Sequence, residues 1–179
     1  MTDVDPDFSG FDATLRDGRT VRLRAIQPAD EAELLQAFGR LGPDARYMRF
    51  MRPVREPNVD RLRNTLAAMP ERGIGIVATI PADDGIDIVG GTICILGDDR
   101  TTGEFAITVA SGFGGTGLAR TLLTALIDAA RKRGLKRMEG FVLAVNQPML
   151  RLARRMGFEV ARDPDDGTIR ICTLDLANP

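Results

Sequence analysis

The stretch Gly112-Phe-Gly-Gly-Thr-Gly-Leu-Ala-Arg120 decides how this chain is read. It follows a β-like run, Phe105–Ala110, and opens a segment in which Leu118, Leu122, Leu126 and Ala130 recur every four residues. Leu123 and Ile127 lie beside them and Gly134 stands at the end, the pattern of an amphipathic helix with its stop. A strand that ends in a glycine-rich turn and opens a helix makes an anion site. The first helical turn leaves N–H groups without intrahelical partners, and the dipole adds partial positive charge there. Glycines let that backbone approach a phosphate with no Cβ in the way. The sequence therefore predicts a phosphorylated ligand at residues 114–119.

Working outward, Thr20–Ile26 alternates Val21, Leu23 and Ala25 against Arg22 and Arg24, a half-exposed strand. Pro28-Ala29-Asp30 starts a helix with Leu34, Leu35 and Phe38, expected to end near Gly39 or Gly42. A second helix is expected over Val59–Met69. Strands follow at Gly75–Ile80 and Ile86–Leu96 around a turn at Pro81–Gly85, and a third at Glu104–Ala110. Beyond the central helix come a strand at Met138–Ala144, a short helix at Pro148–Met156, and strands at Phe158–Ala161 and Thr168–Leu176. The expected fold class is α+β: one mixed, mostly antiparallel sheet flanked by about four helices.

Composition narrows the chemistry. The 179 residues suit one domain, placed at residues 14–177 behind a flexible acidic arm at 1–13 that carries Asp3, Asp5, Asp7 and Asp12. A net charge of −1 gives no electrostatic case for nucleic acid or an anionic membrane. Apolar runs such as Ile74–Ile80 are too short to span a bilayer, and no charged-then-apolar leader opens the sequence, so a cytoplasmic protein is expected. Cys94 and Cys172 fall inside β-like runs and read as inert core thiols. There is no histidine, which removes Ser-His and Cys-His nucleophilic machinery and leaves no metal site expected. A general base must then be a carboxylate, a lysine, a tyrosine or a relayed water.

Two phases of the glycine loop compete. Gly112–Gly117 fits G-x-G-x-x-G, but it lies late in the chain after antiparallel-looking strands, and Glu139 begins its strand where a dinucleotide site needs an acid at the end. No Gly-Lys-Ser/Thr follows, which removes a P-loop. In the other phase, Gly114-Gly-Thr-Gly117-Leu-Ala119 resembles the pyrophosphate loop Gln/Arg-x-x-Gly-x-Gly/Ala of the GNAT superfamily of acyl-CoA-dependent N-acyltransferases. Gly117 and Ala119 match, and Gly114 replaces the usual Gln or Arg. Asn146-Gln-Pro-Met149 and the exit Met156-Gly157-Phe158 look like the superfamily's last helix. Asp17–Ile26, Pro28-Ala-Asp30, Arg46-Tyr-Met-Arg-Phe50 and Gly103-Glu-Phe-Ala106 are most similar to the acetyltransferase domain of bacterial protein-lysine acetyltransferases. The resemblance spans about residues 15–176.

That resemblance implies acetyl-CoA as co-substrate, a primary amine as acceptor, and Glu104 as general base at the head of the strand leading into the loop. Ile107, Thr108 and Val109 would pair with the pantetheine amides. Gly114, Gly115, Thr116, Gly117, Leu118 and Ala119 would hold the pyrophosphate, and Asn146 would reach the pantetheine arm or cap its helix. Where many relatives place a tyrosine acid, this chain has Ala153, and its one tyrosine, Tyr47, lies in the early helical region. Three functions stay open: acetyl transfer to a protein lysine, transfer to a small amine or amino acid, and non-catalytic acyl-CoA binding. A monomer or a homodimer paired through terminal strands fits equally.

Overall fold

The computed structural model describes residues 8–178. In chain order its elements are β1 (Phe11–Thr14), β2 (Thr20–Ala25), a 3-10 turn (Pro28–Asp30), α1 (Glu31–Arg40), α2 (Pro43–Phe50), α3 (Val59–Ala68), β3 (Gly73–Ala82), β4 (Gly85–Leu96), β5 (Thr102–Val109), α4 (Leu118–Lys132), β6 (Arg137–Leu143), α5 (Gln147–Arg155), β7 (Glu159–Arg162) and β8 (Ile169–Asp175). One eight-stranded sheet has the order β1-β2-β3-β4-β5-β6-β8-β7. Every pair is antiparallel except β5 with β6.

The leucine repeat of α4 forms the centre of the core. Leu118, Leu122, Leu123, Leu126 and Ala130 are all fully buried, and the helix lies against β3, β4 and β5. At the crossing a Cβ on Gly90 would stand 3.0 Å from Leu122 and 3.1 Å from Leu118, so glycine there lets helix and strand approach. At its other end Arg133 donates to the carbonyls of Pro70 and Gly73, tying α4 to the start of β3. The entry to α1 is fixed differently. Asp30, 5% exposed, accepts from both Arg24 Nη atoms, at 2.9 and 2.7 Å, and from the Gln27 N–H at 2.8 Å. That bidentate hydrogen bond holds the Arg24 pKa above its ordinary value.

The expected α+β architecture holds, with local corrections. Among the described residues there are five α-helices, because the segment around Tyr47 is a helix of its own, α2, begun by Pro43. α1 ends at Arg40, between Gly39 and Gly42 as expected, where Leu41 turns extended. The turn expected at 81–85 shrinks to Asp83-Asp84, since Pro81 and Ala82 still pair with Ile86 and Gly85. Residues 1–7 of the expected acidic arm lie outside the described residues. The rest is built in: Phe8 is buried and Phe11–Thr14 pairs with β2 as an edge strand. Among the described residues no helix is long and apolar enough to cross a membrane.

Candidate functional site

The parallel pair β5/β6 joins only at Thr102–Glu104 with Arg137–Glu139. Beyond those three pairs the strands part, while β5 stays paired to β4 as far as Val109. The Phe105 ring sits where they separate. It packs 5.2 Å from the Phe158 ring, over the place where a Cβ on Gly140 would stand 2.5 Å from it. The result is a narrow cleft of about 40 Å³, lined by Ala106 and Ile107 of β5, Phe141 and Val142 of β6, Asn146 and Met149 of α5, and Met48 and Arg49 of α2. Toward β6 the backbone of residues 106–109 has no strand partner, so its outward N–H and C=O groups are free to pair with an extended amide chain. A larger hollow of about 410 Å³ lies between Phe8, Phe11 and the outer face of α4 and shares no residue with this cleft.

At the end of β5 the chain enters the glycine turn. Gly112, Gly115 and Gly117 have φ of +85°, +70° and +88°, the left-handed region that glycine enters without strain. A Cβ at Gly112, Gly114 or Gly115 would meet nothing within 4 Å, so the loop presents open backbone. Gly117 is the N-cap of α4 and supplies no side-chain acceptor. The N–H groups of Gly114, Gly115, Gly117 and Ala119 accordingly find no acceptor among the described residues. Free donors at a helix N-terminus are an anion cradle.

Two expected loop residues face inward. The Thr116 hydroxyl is buried and donates to the Phe113 carbonyl at 2.6 Å, and the Leu118 side chain is fully buried. Each can meet a ligand only through its backbone. The loop is braced from the β1–β2 turn, a contact nothing in the sequence pattern announced. Arg19 donates to the Gly112 carbonyl at 2.6 Å and stacks 3.8 Å over the Phe113 ring, while the Arg16 N–H donates to the Thr116 carbonyl at 3.0 Å.

Along β5, Gly103 and Phe105 point toward the core while Glu104 points to the opposite face and is exposed. Its parallel partner Glu139 lies beside it, 3.7 Å from Arg137, so Glu104 is the carboxylate left without hydrogen bond or ion pair among the described residues. Exposed Ile95 pairs with Glu104 from β4, and exposed Tyr47 and Met51 lie on and just after α2. Asn146 does two jobs at once. Its Oδ1 accepts from the Met149 N–H at 3.4 Å as the N-cap of α5, which leaves its amide NH₂ free at the cleft. Ala153 is fully buried in α5 and offers no acid. Met48 and Arg49 were not singled out as site residues, because only the placement of α2 over β5 brings them to the cleft.

Both cysteines are free and buried. Burial is the largest influence pushing the Cys94 thiol up to about 12, with the charge of Arg133 opposing and that of Glu104 adding. At pH 8 only about one thiol in ten thousand is then thiolate. The native protein should leave Cys94 unmodified by iodoacetamide while denatured protein reacts at once; rapid native labelling at Cys94, read by mass spectrometry, would contradict the packing described. Among the described residues no group of three or more His, Cys, Asp or Glu side chains comes together to hold a metal ion.

The fold has known relatives. A family model described as Acetyltransferase (GNAT) domain matches residues 20–159. An acetyltransferase of Pseudomonas aeruginosa is 31% identical over 163 residues, covering 91% of this chain and 88% of that one. The GNAT domain of a Streptomyces lividans protein, PAT, superposes with a TM-score of 0.84 at 23% identity, covering 93% and 96% of the two chains. The yncA protein of Salmonella typhimurium, solved with its cofactor acetyl-CoA, superposes at 0.68 with 22% identity, covering 87% and 94%. These two share the fold. The chain belongs to the GNAT family of acetyltransferases, enzymes that take their acetyl group from acetyl-CoA.

Proposed function

We propose that the protein transfers the acetyl group of acetyl-CoA to the side-chain amine of a protein lysine, with Glu104 as general base. The observation that carries the reading is the open position of Glu104, exposed and without hydrogen bond or ion pair among the described residues, at the last pair before β5 and β6 part. A base so placed suits an amine presented on the surface of a large partner. Exposed Ile95, Tyr47 and Met51 would give that partner apolar contact. The overall likeness to the S. lividans PAT domain is consistent with it.

The chain's own groups divide the work. Residues 107–109 would pair with the pantetheine amides, and Asn146 would donate its free NH₂ to the same arm. The backbone of Gly114–Ala119 would hold the pyrophosphate, each charge–dipole contact contributing ~0.3–1 kcal/mol. Bound acetyl-CoA supplies an activated thioester. Glu104 accepts the ammonium proton so that the neutral nitrogen can bond to the acyl carbon as the C–S bond breaks. With Ala153 where an acid would stand, the departing thiolate takes its proton from water. Free thiols at Cys94 and Cys172 fit a reducing, cytoplasmic setting.

The loop assignment has its own test. Gly114 has open space around it and none of the positive φ of its neighbours, so Gly114→Gln should fold with stability unchanged or raised by about 0.4–1 kcal/mol. Restoring the side chain that relatives carry there should tighten acetyl-CoA several-fold by calorimetry. Weaker binding would place the pyrophosphate elsewhere. The acceptor class is tested by rates on lysine-bearing proteins and peptides against free amines and amino acids. Faster turnover of the protein-borne lysine supports the proposal; turnover of free amines alone would overturn it.

A further inference from the structure

Arg49 lines the cleft beside Ala106, Ile107, Phe141 and Asn146, yet the half-buried side chain makes no hydrogen bond or ion pair with any described residue. Its guanidinium stands 4.9 Å from the ring of its own neighbour, Phe50. Other arginines held in the fold are occupied. Arg24 grips Asp30, Arg46 donates to the carbonyls of Phe38, Gly39 and Arg55, and Arg133 donates to Pro70 and Gly73. A guanidinium carries five donors and pairs bidentately with a planar carboxylate, so an unfilled fork in a cleft is unusual. Burial is the largest influence lowering the Arg49 pKa, and the charge of Arg61 adds to it, while Glu104 opposes both. Glu104 thus feels this charge without pairing to it. An arriving anion would relieve the burden.

The anion is not a coenzyme phosphate. The glycine loop lies beyond the far end of β5, past Val109, whereas Arg49 stands near its middle, at Ala106 and Ile107. The acceptor is the other group that must reach this cleft, where it meets the acyl carbon. Glu104 and Glu139 pair across β5 and β6, and the charge of Glu104 acts on Arg49 of α2, so a free carboxylate and a free guanidinium stand near one another where the strands part. That arrangement matches an amine with an acid beside it.

We propose that Arg49 binds a carboxylate of the acceptor, so that the enzyme prefers a lysine whose own main chain or flanking residue carries one. The inference rests on the acetyl-transfer reading above. The carboxylate has two sources: an Asp or Glu beside the lysine in a protein, or the main-chain carboxylate of a free amino acid. Initial rates would be measured for the full chain with acetyl-CoA on one lysine peptide bearing Asp, Ala or Lys next to the acceptor, and on free lysine against lysinamide.

The Asp peptide should exceed the Ala peptide at least tenfold in kcat/KM, mainly through KM, with the Lys peptide poorest. Arg49→Met should flatten that ranking and Arg49→Lys should keep part of it. Equal rates on the three peptides, with free lysine equal to lysinamide, would overturn the inference while leaving lysine acetylation standing. A ranking that survives in Arg49→Met would also overturn it. If free lysine beats lysinamide tenfold while all peptides are poor, the carboxylate role stands and the protein-lysine reading falls. Turnover of no acceptor would sink both.

Discussion

Glu104→Gln should lower kcat on lysine acceptors by about 10²- to 10⁴-fold, the usual contribution of a positioned general base. The substitution keeps the shape of the side chain and removes the proton acceptor. Glu104 is exposed and makes no hydrogen bond or ion pair with the described residues, so the fold should lose almost nothing, within about 0.5 kcal/mol. Acetyl-CoA should bind as before, because the residues that would hold it lie at 107–119 and 146. The deficit should depend on pH. A free lysine amine titrates near pH 10.4, so raising the pH supplies neutral nucleophile without a base, and wild type and variant should converge. Stopped-time assays from pH 7 to 10 would read this. A variant with wild-type kcat at pH 7 would remove Glu104 from the chemistry. Glu139 is the neighbour to watch for substitution, but Arg137 already holds it at 3.7 Å.

Leu122→Ala should cost about 2–5 kcal/mol, since the side chain is fully buried and lies under β4 at Gly90. For a chain of this size each kcal/mol moves Tm by roughly 2–4 °C, so a fall of about 4–20 °C is expected in thermal unfolding. The same helix opens at the anion loop. Acetyl-CoA at ~100 times its Kd should return roughly 2.7 kcal/mol to either protein, provided that the variant still presents the loop. A variant that loses stability but regains none with acetyl-CoA would show that Leu122 also sets the loop's geometry.

The parts of the fold readable in the sequence were those governed by local pattern. The four-residue leucine repeat named α4 with its glycine entry and exit, and alternation named β2 to within a residue. The edges went astray where tertiary contact overrode local signals. Residues 11–13 read as part of a charged arm, but pairing with β2 makes Phe11–Thr14 a strand, and burial of Phe8 anchors it. The site was legible in outline for a related reason. Glycine spacing and the Asn146 cap are written locally, whereas the cleft exists only because β5 and β6 part after three pairs. Arg49 reaches that cleft from another element, and Arg19 reaches Gly112 from 93 residues away. No periodicity encodes such meetings.

The most direct test is a single turnover. The full chain, loaded with one equivalent of acetyl-CoA, would be mixed with a lysine-bearing protein and quenched over time. Mass spectrometry would follow the acceptor and the enzyme, and thiol release would be measured in parallel. Direct transfer puts acetyl-lysine on the acceptor in step with free CoA, and at no time an acetyl group on the enzyme. Acetyl-CoA that stays bound and intact beside every acceptor would make the protein a binder, and an acetylated enzyme that precedes product would replace direct transfer with a covalent route.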